Sequence, residues 1–252
     1  MKIGGLQKTS LLDYPGTISA IVWTIGCNFR CPFCYNKNLV LGNIEIYKEE
    51  EIFSFLNKRK GLLEAVVITG GEPLLQDDIL DFSSKIKKQG YLLKIDTNGN
   101  YPEKLKELID KKLVDYIAMD VKAPKEKYNK LTDVKTDISK IEESIDIIRN
   151  SALDYEFRTT FIPGFLTKED ILNIAKWLEG SSRFYLQQFK NNATLISSKL
   201  QNILPYSEQE LLETLNIIKP FFKSCDIRII RIESRDKKAQ NRYKEYKGRF
   251  AS

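Results

Sequence analysis

The chain has 252 residues, 42% of them hydrophobic and 29% charged, an ordinary globular composition that fits one large domain or a domain with a short extension. No apolar run approaches the roughly 20 residues that span a bilayer, and residues 1–5 do not open a leader with an apolar core, so a cytoplasmic protein is expected. The net charge is +6, but residues 236–252 (Lys237, Lys238, Arg242, Lys244, Lys247 and Arg249 against Asp236 and Glu245) hold most of the excess, so the near-neutral body excludes a surface that tracks a nucleic-acid backbone.

The first strand expected is Ile18–Thr24, apolar and β-branched. It runs into Gly26-Cys27-Asn28-Phe29-Arg30-Cys31-Pro32-Phe33-Cys34-Tyr35-Asn36, which places Cys27, Cys31 and Cys34 on the loop that leaves the strand. Three thiolates are one fewer than the four that usually hold a cubane of four irons and four sulfides. One iron would keep an open coordination position, and an open position is where a metal site does chemistry. The chain contains no histidine, which removes the commonest general acid–base residue and the commonest transition-metal ligand. The fourth cysteine, Cys225, stands far away in sequence. The competing reading is a structural zinc site with Cys225 as fourth ligand.

Beyond that loop, strands and helices alternate. Ala65–Ile68 reads as a strand and 77–89 as a helix; Tyr91–Ile95 as a strand and 102–112 as a helix. Val114–Val121 follows as a strand, then a helix over 137–150 with Ile138, Ile141, Ile145 and Ile148 on one face. Tyr155–Phe161, Phe184–Phe189 and Ile227–Ile232 read as strands, with helices at 167–179 and 207–222 between them. The stretch 190–206 is the longest irregular segment and is expected near the active site. This alternation implies βαβ units and a parallel sheet. Residues 1–235 are expected to form one domain and 236–252 a solvated basic tail.

Polar motifs fall where these strands end: the cysteine loop, Thr69-Gly70-Gly71-Glu72-Pro73, Asp96-Thr97-Asn98-Gly99, and Asp120-Val121-Lys122. Arg158 lies within the fifth strand, and Gln187 and Gln188 lie within the sixth. In barrel-like parallel folds the C-terminal strand ends carry the active site.

The cysteine run together with Gly70-Gly71-Glu72-Pro73 resembles the radical S-adenosylmethionine (SAM) superfamily. Gly5-Leu6-Gln7-Lys8-Thr9-Ser10-Leu11-Leu12-Asp13-Tyr14-Pro15-Gly16, with Asp96–Gly99 and Asp120–Lys122, resembles more narrowly the activating enzymes of glycyl radical enzymes, above all those of anaerobic ribonucleoside-triphosphate reductase and pyruvate formate-lyase. The resemblance implies a partial (β/α)6 TIM-type barrel, open on one side, and a [4Fe–4S] cluster held by Cys27, Cys31 and Cys34. It implies reductive cleavage of S-adenosyl-L-methionine to a 5′-deoxyadenosyl radical that takes hydrogen from a glycine of a partner protein. A glycyl radical enzyme, anaerobic ribonucleotide reductase, would be that partner, and a flavodoxin or ferredoxin the electron donor. Two residues depart from the family pattern: Tyr35 stands where many activating enzymes have histidine, and Gln187 or Gln188 where relatives line the adenine site with one.

Each remaining residue carries a functional and a plain expectation. Gly70 and Gly71 permit close backbone approach to a ligand, and Glu72 is expected to accept from the cofactor ammonium; the plain reading is a tight turn. Asp96 is expected at the same ammonium, with a monovalent cation beside it, or else as a turn former. Asp120 would bind ribose hydroxyls, while Lys122 and Arg158 would meet the cofactor carboxylate; the plain reading is an ion-paired barrel rim. Phe33 would stack on adenine or simply pack, and Arg30 would donate toward the cluster or stay solvated. Gln187 would line the adenine pocket. Cys225 is expected to be buried and inert. The other function to weigh is a SAM enzyme that acts on a small molecule such as a deazapurine precursor.

Overall fold

The computed structural model describes residues 1–191 and 194–229. The basic tail 236–252 and the end of the strand expected at 227–232 lie outside them. The elements run β1 (Ile3–Ser10), β2 (Ser19–Thr24), α1 (Lys37–Leu41), α2 (Glu49–Lys58), β3 (Ala65–Gly70), α3 (Ile79–Lys88), β4 (Leu92–Thr97), α4 (Pro102–Asp110), β5 (Tyr116–Asp120), α5 (Tyr128–Thr132), α6 (Ile138–Asn150), β6 (Asp154–Phe161), α7 (Lys168–Trp177), β7 (Arg183–Gln188), α8 (Glu208–Ile218) and β8 (Ser224–Arg228).

The strands form one sheet in chain order, β1 to β8. From β2 to β8 every neighbour is parallel, so each crossover carries helix over the same face. Among the described residues the two end strands do not pair with each other, which leaves the barrel open as expected.

Alternation along each strand separates two faces. One face presents Ala20 and Val22, Val66 and Ile68, Leu93 and Ile95, Ile117 and Met119, Phe157 and Phe161, and Phe184 and Leu186 to the helices. The helices answer with apolar stripes, among them Phe82 and Ile86 of α3 and Ile141, Ile145 and Ile148 of α6. Ile138 packs on this stripe only partly buried. The other face looks into the barrel, where a small separate cluster joins Ile21, Ala65, Val67, Tyr116 and Ala118 to Tyr14.

Besides the short helices α1 and α5, which the sequence reading did not include, three elements differ from it. β1 lies antiparallel on β2, with breaks in register near Gly5 and Ser10. Its two glycines and the exposed Gln7-Lys8-Thr9 hide a strand signal, and such polar residues suit an edge. The helix α2 was also missed: its acidic first turn sits under an extended Lys48, and it buries only Ile52 and Leu56. β8 begins three residues earlier than expected, after Pro220 ends the preceding helix in a short 3-10 turn. It buries Cys225 against the helical layer, opposite Phe184 at the start of β7.

Candidate active site

The cysteine loop is anchored before it begins. Ile25 N–H donates to Lys2 O at 2.9 Å and Gly26 N–H to Leu39 O at 2.8 Å. Gly26 sits at φ +91°, a conformation other residues reach only with strain. Farther along, Arg30 N–H donates to Thr132 O at 2.8 Å, and the Pro32 carbonyl accepts from Ser197 N–H at 2.9 Å. The guanidinium of Arg30 donates to the carbonyls of Cys27 and Phe29, so it clamps the loop backbone instead of reaching toward the thiols. Phe33 is 5% exposed within the core, which leaves almost no ring surface for adenine to stack on. Packing, the plain expectation, is what the structure gives it.

The three thiols sit together at this strand end. Cys31 is buried, while Cys27 and Cys34 are half-buried. Phe29 N–H points at Cys27 Sγ from 3.4 Å, and Asn36 N–H at Cys34 Sγ from 3.4 Å; Asn98 Nδ2 is 3.8 Å from Cys27 Sγ. Burial pushes the Cys27 thiol up to about 12 and Cys31 to about 11, and raises Cys34, while Lys122 pulls all three back. Iron would take the place of these protons. Soft thiolates with N–H donors on their sulfurs, beside a cation, fit an iron–sulfur cluster. Among the described residues no three His, Cys, Asp or Glu side chains converge on one point as ligands of a single ion would. A cubane takes each thiolate on a different iron and needs no such convergence. Cys225 enters β8 at the opposite end of the barrel, which removes it as a fourth ligand.

The next strand end is locked to this loop by close backbone contact. A Cβ at Gly70 would lie 2.5 Å from Thr24 N, and one at Gly71 would lie 1.8 Å from Gly26 O. Gly71 N–H donates to Thr24 O at 2.9 Å, Glu72 N–H to Gly26 O at 2.8 Å, and Asn36 Nδ2 to Gly70 O at 3.1 Å. The close approach these glycines permit is therefore, first, to the cysteine loop itself. Glu72 is 1% exposed. Its carboxylate accepts from Leu74 N–H at 3.0 Å, Thr97 Oγ1 at 2.8 Å and Asn98 N–H at 2.7 Å. Burial pushes it up to about 7 against the pull of those donors. With its oxygens engaged inside the chain, Glu72 braces the ends of β3 and β4 against each other, and the expected direct contact with an ammonium gives way to that bracing.

On β4, β5 and β6 the side chains do the work. Arg158 Nε donates to Asp120 Oδ1 at 2.8 Å, and its NH1 to Asp96 Oδ2 at 3.3 Å. Lys122 Nζ donates to Asp120 Oδ2 at 3.0 Å. Lys94 Nζ lies 3.0 Å from Asp96 Oδ1, off-line for a hydrogen bond, so that oxygen is held by charge alone. Among the described residues Asp96 Oδ1 therefore keeps its hydrogen-bonding capacity for an incoming cationic group. Burial alone would raise Asp120 and Asp96; Arg158 outweighs it, joined by Lys122 at Asp120 and by Lys94 at Asp96, and holds both carboxyls below their ordinary range. Gly99 follows at φ +79°, its Cα so near Met119 that a Cβ would meet the Cε at 2.1 Å.

The sixth parallel strand resolves the two glutamines. Gln187 alternates with Phe184 and Leu186 and so belongs to the interior face; Gln188 Nε2 donates to Tyr206 O at 2.9 Å. Tyr35 stacks on Phe189 and accepts from Lys190 N–H at 2.8 Å, tying the cysteine loop to the end of β7. Lys94, Asn98, Glu156 and Arg228 also belong to the interior constellation and were not singled out. A signal existed: charge at every second position of otherwise apolar strands, as in Leu92-Leu93-Lys94-Ile95-Asp96 and Tyr155-Glu156-Phe157-Arg158.

Comparison with known proteins follows the same outline. A family profile described as the Radical SAM superfamily matches residues 21–178. A Methanocaldococcus jannaschii protein, MJ1227, provisionally named a glycyl-radical enzyme activating enzyme, is 35% identical over 233 residues, which cover 90% of this chain and 96% of that one. A pyruvate formate-lyase-activating enzyme of Listeria monocytogenes is 32% identical over 52% of this chain and 57% of its own. A 7-carboxy-7-deazaguanine synthase of Thermoplasma acidophilum is 31% identical over 59% of this chain and 69% of its own. Among solved structures, Streptococcus suis SuiB bound to S-adenosylmethionine superposes with a TM-score of 0.61 at 14% identity, over 84% of this chain and 50% of that one. A domain of pyruvate-formate lyase-activating enzyme from Bacteroides vulgatus gives 0.52 at 18% identity, over 67% of this chain and 99% of that one. At these identities the structures share the fold.

Proposed function

Because the chain belongs to the radical SAM superfamily, we propose that it is an activase, which installs a glycyl radical on a partner enzyme, here anaerobic ribonucleoside-triphosphate reductase. When bound, the cofactors of the superfamily, a [4Fe–4S] cluster and S-adenosylmethionine, would supply the chemistry: an electron to cleave the sulfonium, and a deoxyadenosyl group to accept a hydrogen atom from the glycine Cα. A flavodoxin or ferredoxin would deliver that electron.

The observation that carries the reading is the near full-length match to MJ1227. The open sheet supports it, since a side left unpaired among the described residues would give a protein loop a way to the strand ends. In this reading Cys27, Cys31 and Cys34 hold three irons. Asp120 takes ribose hydroxyls, Lys122 and Arg158 meet the carboxylate, Asp96 meets the ammonium, and Gln187 lines the adenine side. Gly70, Gly71 and Glu72 keep the β3 turn seated on the cysteine loop. Residues 1–235 would be the catalytic domain and 236–252 an appended tail. No helix among the described residues is long and apolar enough to cross a membrane.

The match to 7-carboxy-7-deazaguanine synthase favours a second reading, an enzyme that acts on a small deazapurine precursor. Electron paramagnetic resonance separates the two. The reduced protein with S-adenosylmethionine and the reductase should give a carbon-centred radical on the reductase. Deoxyadenosine release without a protein radical, and turnover of a small molecule instead, would reverse the choice.

A further inference from the structure

Below the strand ends, the barrel interior is filled with charge. In a closed barrel of this type alternate strands fill the interior in layers, mostly with branched apolar residues. Here the alternate strands β4, β6 and β8 contribute Lys94, Glu156 and Arg228. Glu156 is completely buried. Its Oε1 accepts from Arg228 NH1 at 2.8 Å; its Oε2 accepts from Arg228 NH2 at 3.2 Å and from Tyr116 OH at 2.9 Å. Arg228 in turn lies over the Tyr185 ring, 4.0 Å from its centre. Burial would raise the Glu156 carboxyl, but the Arg228 bonds and the charge of Arg158 hold it below its ordinary range, so it is ionised at neutral pH.

Glu156 and Arg158 stand two residues apart on β6 and project into the same interior. Glu156 Oε1 is 3.7 Å from Arg158 NH1. Arg158 is therefore held by three carboxylates: Asp120 and Asp96 at the strand ends, and Glu156 from below. Glu156 also lies between two guanidinium groups that would otherwise repel. The NH2 nitrogen of Arg158 has no hydrogen-bond partner among the described residues, which leaves that arm for a ligand. Stability alone does not call for this arrangement, because apolar residues of similar volume fill such an interior at no loss. What an ion network adds is a fixed orientation.

We infer that Glu156, braced by Arg228 and Tyr116, is a positioning residue that orients Arg158 toward the carboxylate of S-adenosylmethionine. This rests on the reading of Arg158 as a carboxylate clamp. It makes β8 part of the cofactor site although no β8 side chain reaches the strand-end constellation.

The test uses the reconstituted protein under anaerobic conditions, with Glu156→Gln and with the apolar pair Glu156→Leu/Arg228→Met. Iron and sulfide content, and the affinities for S-adenosylmethionine and for methylthioadenosine, which lacks the amino-acid end, are measured for each. Cluster content and methylthioadenosine affinity should stay near wild type, while S-adenosylmethionine affinity falls about tenfold, the scale of one charge-assisted contact. Wild-type affinity for both ligands, equal weakening of both, or loss of iron would overturn the inference and leave Glu156 a packing residue. Arg158→Lys keeps the two failures apart. If it leaves S-adenosylmethionine binding unchanged, the clamp reading fails; if it weakens binding while the Glu156 variants do not, only the positioning role fails. Should the apolar pair not fold, the near-isosteric Glu156→Gln carries the same comparison.

Discussion

On the β2–β3 side the barrel interior is lined by Ile21, Trp23, Ala65 and Val67, and the strand ends work through backbone and thiols. On the β4–β8 side it is lined by Lys94, Asp96, Asp120, Glu156, Arg158 and Arg228, and the strand ends work through side chains. The difference matches the two cofactors. A cluster needs soft ligands on a loop held in one place, and glycines that let two loops touch provide that. A zwitterionic nucleoside needs several charges at fixed angles, and under the proposed function paired side chains would provide that. The cluster half should therefore fail as a unit, and the charged half by degrees.

The largest expected effect is on the cluster half. Cys31→Ala should abolish S-adenosylmethionine cleavage and lower iron per chain well below the wild-type content after reconstitution; substantial retained cleavage would refute the ligand assignment. Gly71→Ala should come close, although position 71 touches no iron. Its Cβ would fall 1.8 Å from Gly26 O, a backbone atom with nowhere to go. A clash of that kind costs about 3 kcal/mol or more, and the variant should assemble little cluster. Near-normal iron content in soluble Gly71→Ala would break the comparison, because it would show that the two loops need not touch.

The charged half should respond more gently. Asp120→Asn keeps the shape of the side chain but removes the charge that Arg158 and Lys122 share. Cluster content should survive, and S-adenosylmethionine affinity should drop about ten- to a hundredfold, in the range of lost charged hydrogen bonds. Loss of the cluster in Asp120→Asn would show that the halves are not separable.

The helical layer was legible in the sequence because its signal is periodic: the Ile141, Ile145 and Ile148 stripe needs only a 3.6-residue repeat to be seen. The candidate cysteine ligands stood out because three thiols within eight residues have few other uses. β1 did not, since an edge strand with two glycines carries no alternation. Glu72 was found, but its partners within the chain were not. Nothing local says that its three donors, one at the last residue of β4 and one just after it, come from inside the chain. Glu156 and Arg228 were passed over for a related reason: they meet across two strand spacings of the sheet, 72 residues apart in sequence. Periodicity reports which face a residue takes, and only the curvature of the whole sheet reports what it meets there.

The smallest expected effect lies at Glu72, on the seam between the halves. Burial pushes its carboxyl from the ordinary 4.5 up to about 7, so the folded chain binds more protons than the unfolded chain between those limits. Stability from this group is therefore complete below about 4.5 and declines as pH rises toward 7. The window is unusually clean, because the chain has no histidine to titrate within it. Glu72→Gln removes the ionisation but also gives one donor N–H a second donor to face, so it should be destabilised at every pH. Its deficit relative to wild type should be largest below about pH 4.5 and shrink by ~3 kcal/mol by pH 7.5. Thermal midpoints of the reconstituted proteins read this as a gap that closes by several degrees. A gap that stays constant would mean that Glu72 is ionised throughout and that its three donors outweigh burial. A gap that widens would place its titration below the ordinary carboxylate range, and the seam would then be held by charge, as the β4–β8 half is.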